Sequence, residues 1–390
     1  MKRIIDTERI PIKLWLDEID DNTLFQVKNL ANLPFAFKHI ALMPDAHTGY
    51  GMPIGGVMAA DNVVVPNAVG VDIGCGICAV KTDLKLDPNI QRRLKEIVRD
   101  IEERVPLGFK HHKRAQDETL MPRGYDVGSM EVVRAEYRSA LRQLGTLGGG
   151  NHFIEIQKDK DNFIWIMIHS GSRNIGKQVA DHYNKLAKRL NKQWNSPVPP
   201  KADLAYLPFT TEEAHQYFEE MNYCVDFALA NRKLMLTRVQ EVFLGYFPKI
   251  KFGEIINIAH NYAKWEKHFG KDVVVHRKGA TSAHKGELGI IPGSQGTKSY
   301  IVEGLGNPES FSSCSHGAGR VMGRNEAIRR LSFEEEVRKL NKRGILHSIR
   351  THRDLDEAPS AYKNIQQVML DQEDLVKIVT EVSPLAVIKG

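Results

Sequence analysis

Short apolar runs, many closing on glycine, alternate along the chain with charged stretches of helical character. Residues 88–104 (PNIQRRLKEIVRDIEER) predict a helix with Pro88 near its start, where the missing N–H is tolerated. Residues 129–143 and 174–193 predict two more. The longest helix is expected from about Thr211 to Tyr246, opened by a capping box of Thr210 and Glu213. Its apolar positions fit a core-packed element, which assigns it to scaffolding. Segments 106–127 and 194–210 carry Pro, Gly and polar residues without a period and read as loops or insertions. No repeat, low-complexity tract or linker interrupts the pattern. The expectation is one interwoven α+β domain over residues 1–390, although length alone favours two or three domains.

Several apolar runs end in residues capable of chemistry. HIALM leads to Pro44, Asp45 and His47; NAVGV leads to Asp72 and Cys75; FIWIMI leads to His169; EIINIA leads to His260 and Asn261; DVVV leads to His276. Any one of these endings could be incidental, since buried strands must stop somewhere. Taken together, they predict strands of one sheet finishing at a common edge and gathering His and Asp around a cleft. Gly148, Gly149 and Gly150 suit close backbone approach to a phosphate, and they precede Asn151, His152 and Glu155. His316 lies between small residues, so a ligand can approach it, and Arg320 follows four residues later. One conflict stands out. In a regular strand over 151–156, His152 would face away from Asn151 and Glu155. Either the segment begins irregularly after the glycines, or one role is misassigned.

Composition narrows the class. Hydrophobic residues make up 42% and charged residues 26%, the balance of a soluble globular protein. A net charge of +6 permits a polyanionic partner without requiring one. Four cysteines are too few for a disulfide framework in 390 residues, so a reducing cytoplasm is expected. The N-terminal residues lack a signal-peptide pattern, and no apolar run has the length of a membrane span. Thiolate, imidazole and carboxylate together suit a transition metal rather than Ca²⁺ or Mg²⁺. Asp72 and Cys75, three apart in a Gly-rich turn, can reach one ion. His152, His169 and His260 can complete one site, or two if the thiolate bridges. On ligand chemistry alone the ion would be zinc. A single Cys75/Cys78 pair is weak support for a zinc ribbon, and Cys78, following Ile77, is expected in the core.

The motifs in order are MPDAHTGYG (43–51), VGVDIGCG (69–76), LGGGNHFIEI (147–156), HSGSRNIG (169–176), AHNYA (259–263), HRKGAT (276–281), PGSQGTKSY (292–300), SHGAGR (315–320), AYKNI (361–365) and VIKG (387–390). In these the chain resembles the RtcB RNA ligases along nearly its whole length. The resemblance implies an active site in a central cleft between helix-flanked sheets. It implies two Mn²⁺ ions, one held by Asp72, Cys75 and His152, the other by Cys75, His169 and His260, with GTP as nucleotide. His316 would be the nucleophile that carries GMP. Glu155 and Lys389 would read the guanine or hold the nucleotide. Asn151, Phe153, Ile154, Asn261, Pro292, Gly293, Ser294, Gln295, Ser299 and the backbone of His316, Gly317, Ala318 and Gly319 would complete the pocket, beside His152 and His260.

Asp45, Arg173, Arg277, Lys278 and Arg320 are further possible phosphate or RNA contacts. The implied activity joins an RNA 3′-phosphate or 2′,3′-cyclic-phosphate end to a 5′-hydroxyl end, in tRNA splicing or RNA repair. An archease-type activator is a possible partner. Two rivals remain: a dinuclear metal phosphodiesterase or nuclease with no covalent step, and a non-enzymatic RNA-binding protein with a structural metal.

Overall fold

The computed structural model describes residues 1–390, and its longest element, the helix Glu212–Tyr246, packs against strands of both large sheets. Its 35 residues contain no proline and no glycine before Gly245, so nothing breaks the backbone ladder. Tyr217, Met221, Cys224, Phe227, Met235, Leu236, Val239 and Phe243 are buried along it. The N-cap is Thr211, and the expected capping box of Thr210 and Glu213 does not form. Thr211 Oγ1 instead donates to Pro208 O at 2.7 Å, which ties the cap to the preceding turn. The other expected helices occupy Pro88–Arg104, Glu131–Gln143 and Arg173–Gln193. Residues 106–127 contain only the 3₁₀ turn Glu118–Leu120. Residues 194–210 hold the turn Pro200–Ala202 and the two-residue strand Leu207–Pro208. No helix is long and apolar enough to cross a membrane.

A six-stranded sheet runs in the order Arg3–Ile5, Ile12–Leu14, Ala36–His47, Ile54–Ala60, Lys271–Lys278, Asn261–His268. A seven-stranded sheet runs Phe252–Ala259, Gly76–Lys85, Phe163–Ser170, Phe153–Asp159, Val376–Lys389, Ser299–Gly304, Leu288–Ile291. One face of the larger sheet, with Cys78, Val80, Ile154, Ile156, Ile166 and Ile168, packs on the helices Pro88–Arg104 and Glu212–Tyr246. Cys78 is fully buried there, as its apolar neighbour predicts.

The expectation of one sheet with a common edge needs correction. Phe163–Ser170 and Phe252–Ala259 belong to the larger sheet, whereas Ala36–His47 and Lys271–Lys278 belong to the smaller. NAVGV is not a strand. Pro66 opens a helical turn, Pro66–Val69, where a central strand would need its missing N–H. His276 lies inside its strand, fully buried, and accepts from Val65 N at 2.9 Å. The chemistry gathers where the sheets meet, because the chain leaves the larger sheet at Ala259 and enters the smaller at Asn261, with His260 between.

This crossing depends on close backbone approach. Gly76 pairs with Ala259 on one side and Ser170 on the other, and a Cβ there would strike the Ile258 carbonyl. Gly76→Ala should therefore destabilise the protein by about 1–3 kcal/mol, read as a lowered midpoint in thermal or denaturant unfolding. An unchanged midpoint would show that the strands do not meet this tightly.

Candidate metal centre and nucleotide cavity

Cys75 stands in the turn before Gly76, and its carbonyl accepts from His260 N at 2.8 Å. That bond carries the sheet crossing to the thiol. Cys75 Sγ is 3.4 Å from His152 Nε2 and 3.3 Å from His169 Nε2. His152 Nε2 is 3.1 Å from Asp72 Oδ2. Two groups of metal-ligand side chains result, Asp72–Cys75–His152 and Cys75–His169–His260, with the ligand atoms of each within 4.8 Å of one another. The thiol is common to both.

The conflict over His152 resolves in the backbone. The strand begins only at Phe153, and Gly148 and Gly150 have φ of +87° and +71°. His152 therefore precedes the regular alternation and turns to the ligands while Phe153 and Glu155 share a strand face.

The long helix holds these pieces from behind. Arg232 is fully buried and donates to Gly74 O (3.0 Å), Ser170 O (2.8 Å) and Asn257 Oδ1 (2.7 Å). Asn231 Oδ1 accepts from Gly145 N (2.7 Å) and Thr146 N (3.1 Å), and Nδ2 donates to Gly171 O (3.0 Å). Two adjacent residues thus clasp the segments that present Cys75, His169, His260 and the glycine run.

The electrostatics fit a bound cation. Burial and the neighbouring Asp72 carboxylate push the Cys75 thiol well above its usual pKa, while Arg232 favours its ionised form. Burial, with neighbouring imidazoles, holds His169 and His260 well below theirs, so both rings are neutral donors. Burial alone would raise Asp72, but His152, Cys75 and Arg173 together outweigh it and keep the carboxylate ionised. The Nδ1 atoms of His152 and His260 are buried with no hydrogen-bond partner. An ion at the cluster would ionise the thiol and take the Nε2 lone pair that His152 turns to Cys75 and Asp72, while its Nδ1 faces Gly148 on the other side of the ring.

The centre opens into a cavity of about 880 Å³. His316 lines it, with its ring 4.8 Å from that of His260. His316 Nδ1 is 2.6 Å from Asp45 Oδ2, which also accepts from the backbone N–H of His316 (3.0 Å) and Gly317 (3.2 Å). An ionised carboxylate only accepts, so Nδ1 carries the hydrogen and the Nε2 lone pair is free. Asp45 is fully buried, on a strand whose pairing is irregular between Leu42 and His47. Its Oδ2 is occupied by His316 and the backbone of Gly317, so in this structure it orients His316.

Of the other predicted residues, Asn151, Phe153, Glu155, Asn261, Pro292, Gly293, Ser294, Gln295, Gly317, Ala318, Gly319, Lys278, Arg320 and Lys389 line this cavity. Burial pushes Glu155 up to about 7, opposed by its bond from Gln157 and by Lys389. Ser299 lies just behind the wall, where its Oγ accepts from Gly293 N at 3.1 Å and holds that turn. Ile154 points to the opposite sheet face and packs in the helix-covered core, so it contributes no side chain to the cavity. Arg277 is fully buried and paired with Glu266, away from the wall; it is not available to RNA. Arg173 also lies behind the wall, donating to Thr146 Oγ1 (3.0 Å) and Gly108 O (2.8 Å). Lys278 Nζ is committed to Tyr50 O (2.5 Å) and Asn67 O (3.0 Å).

Sequence reading missed Glu357, a hub in the cavity wall. It pairs with Arg320 (3.1 Å), Arg324 (3.0 Å) and Lys389 (3.8 Å), and it accepts from Tyr362 Oη. Burial would raise Glu357, but these cations keep it ionised. No signal could have found it, because its segment LDEAPS has neither period nor motif.

Fold and site define an α+β protein with paired metal-ligand groups that share one thiol and open on a polar cavity. A family model described as tRNA-splicing ligase RtcB matches residues 26–390. The chain belongs to the RtcB family. It is 38% identical to the RNA-splicing ligase RtcB of Escherichia coli K12, over 99% of each chain. It is 34% identical to the tRNA-splicing ligase RtcB of Thermococcus kodakarensis, over 98% of this chain and 95% of that one. Identity to the tRNA-splicing ligase RtcB of Nanoarchaeum equitans is 36%, over 95% and 92%.

The Arg232 clasp gives a direct test. Arg232→Met leaves two buried carbonyls and the half-buried Asn257 amide oxygen without their donor, at about 1–3 kcal/mol for each buried one. Denaturant unfolding should show a large loss of stability, partly restored by Arg232→Lys. Stability equal to wild type in Arg232→Met would refute the clasp.

Proposed function

We propose that this chain is a GTP- and manganese-dependent RNA ligase that joins 3′-phosphate or 2′,3′-cyclic-phosphate ends to 5′-hydroxyl ends. Family membership supports ligation. The observation that carries the mechanism is the Asp45–His316 pair, which leaves Nε2 free in the cavity beside the ligand groups. Asp72, Cys75 and His152 would hold one Mn²⁺, and Cys75, His169 and His260 the other. When bound, the ions supply charge neutralisation at the reacting phosphates. Their identity as manganese rests on the family resemblance, since the donor set alone also suits zinc.

His316 Nε2 attacks the α-phosphorus of GTP, forming a P–N bond as the bond to pyrophosphate breaks. Asp45 accepts from the Nδ1–H and stabilises the positive charge that develops on the ring. A cyclic phosphate is first opened by water to a 3′-phosphate. An oxygen of that 3′-phosphate then takes the GMP, and the P–N electron pair returns to Nε2. The 5′-hydroxyl, losing its proton, attacks the 3′-phosphorus and expels GMP. Glu155 and Lys389 hold the nucleotide, with Gln157 donating to Glu155 at 2.5 Å and fixing its carboxylate. Arg320, oriented by Glu357, lies at the wall where a phosphate would enter. RNA with broken or spliced tRNA-like ends is the substrate class, and an archease-type protein is a possible activator.

Incubation with GTP labelled at the α-phosphate and Mn²⁺, followed by denaturing electrophoresis, should show an acid-labile, alkali-stable adduct. His316→Ala should bind metal and form no adduct. RNA labelled at its 3′-terminal phosphate should carry that label, nuclease-resistant, into a longer product, while 3′-hydroxyl and 5′-phosphate ends stay unjoined. An adduct that persists in His316→Ala, or label released as free phosphate while 5′-phosphate ends are sealed, would overturn the reading.

A further inference from the structure

Beside the cavity, the segment after Pro106 is seated on the glycine run. Leu147 N donates to Pro106 O at 3.0 Å, Leu107 bridges Gly148, and Arg173 donates to Gly108 O. Gly149, next in that run, lines the cavity. A few residues on, the chain is pinned again: His112 N donates to Arg142 O at 3.0 Å, and Arg238 donates to His112 Nε2 at 2.6 Å. Gln116 N then donates to Leu141 O at 2.9 Å.

Around these anchors the side chains face solvent. Phe109 is 99% exposed, and no ring or cation of the chain stacks on it. Lys110, Lys113, Arg114 and the adjoining Arg142 are not buried, and none has a carboxylate within ion-pair distance. The acids that follow are occupied elsewhere. Asp117 Oδ1 accepts from Thr119 N at 2.8 Å, and Glu118 lies beside Tyr137, whose hydroxyl it helps to keep protonated.

We propose that residues 109–114, with Arg142, form a strap that binds single-stranded RNA at the edge of the cavity. The identity of the polyanion as RNA rests on the ligase reading. The chemistry favours a single strand. Unpaired cations on a pinned backbone suit successive phosphates, and a solitary exposed phenyl offers a face to an unstacked base. In a duplex the bases are already stacked and leave Phe109 without a partner. An acidic protein surface would meet the cations but not the ring.

The test measures fluorescence anisotropy of a labelled single-stranded RNA with a 3′-phosphate, bound to the full chain at several salt concentrations. Melting curves establish that each variant is folded. The triple variant Lys110→Gln/Lys113→Gln/Arg114→Gln should bind at least about tenfold more weakly at low salt. Its slope of log affinity against log salt should fall by about 2, at roughly 0.7 for each phosphate no longer neutralised. Phe109→Ala should lose about fivefold or more at every salt concentration without changing the slope. Lys264→Gln/Lys267→Gln, on the edge strand of the smaller sheet, should match wild type.

Wild-type affinity and slope in the triple variant would overturn the strap, as would duplex RNA or an acidic peptide bound as tightly as the single strand. Adduct formation by wild type needs no RNA and is read separately. Its failure would count against the ligase reading, while the strap is still judged by binding.

Discussion

A thiol, three imidazoles and a carboxylate crowd together where two sheets meet, with too few hydrogen-bond partners among themselves. The surrounding structure is organised around that deficit. His152 and His260 each bury a ring nitrogen without a partner, and Arg232 buries a guanidinium that forms no ion pair with a carboxylate. A buried positive charge needs compensation. The Asp72 carboxylate and the Cys75 sulfur, once ionised, are anions that act on it through space, and both also face the point where the His152 and His169 Nε2 atoms converge. On this account the shared thiol and the rings around it hydrogen-bond poorly to one another and offer a ready set of metal ligands.

Rigidity reaches the centre from three directions. The larger sheet brings Cys75, His169 and Glu155; the crossing between sheets brings His260; the long helix fixes the backbone behind them through Asn231 and Arg232. His316 comes from a separate short strand, Ser313–Ser315, and is aimed by Asp45 from the smaller sheet. No single element carries the site. Activity under this reading depends on the register of both sheets, so a break in a distant backbone hydrogen bond is felt at the ligands.

Much of this was legible because the chemistry sits in short, contiguous motifs. The ligand residues, the glycine run and His316 stand out locally, and the main helices follow from apolar period. What could not be read was long-range. Nothing local says that EIINIA and DVVV belong to different sheets, or that Pro66 turns NAVGV into a helix. The alternation rule misled at His152 because Gly148 and Gly150 bend the chain before the strand begins. Arg277 resembled a phosphate-binding group only because its partner, Glu266, lies eleven residues away on a neighbouring strand. Glu357 was invisible because its cationic partners, Arg320, Arg324 and Lys389, come from distant segments.

The central claim is that one thiol serves both ligand groups, and metal content tests it most directly. Purified wild type, Cys75→Ala and Cys78→Ala would be loaded with Mn²⁺, dialysed and analysed for metal per chain. The account predicts that Cys78→Ala, altered only in the core, keeps the wild-type content, whereas Cys75→Ala loses metal from both positions. Equal metal in the two variants would contradict it.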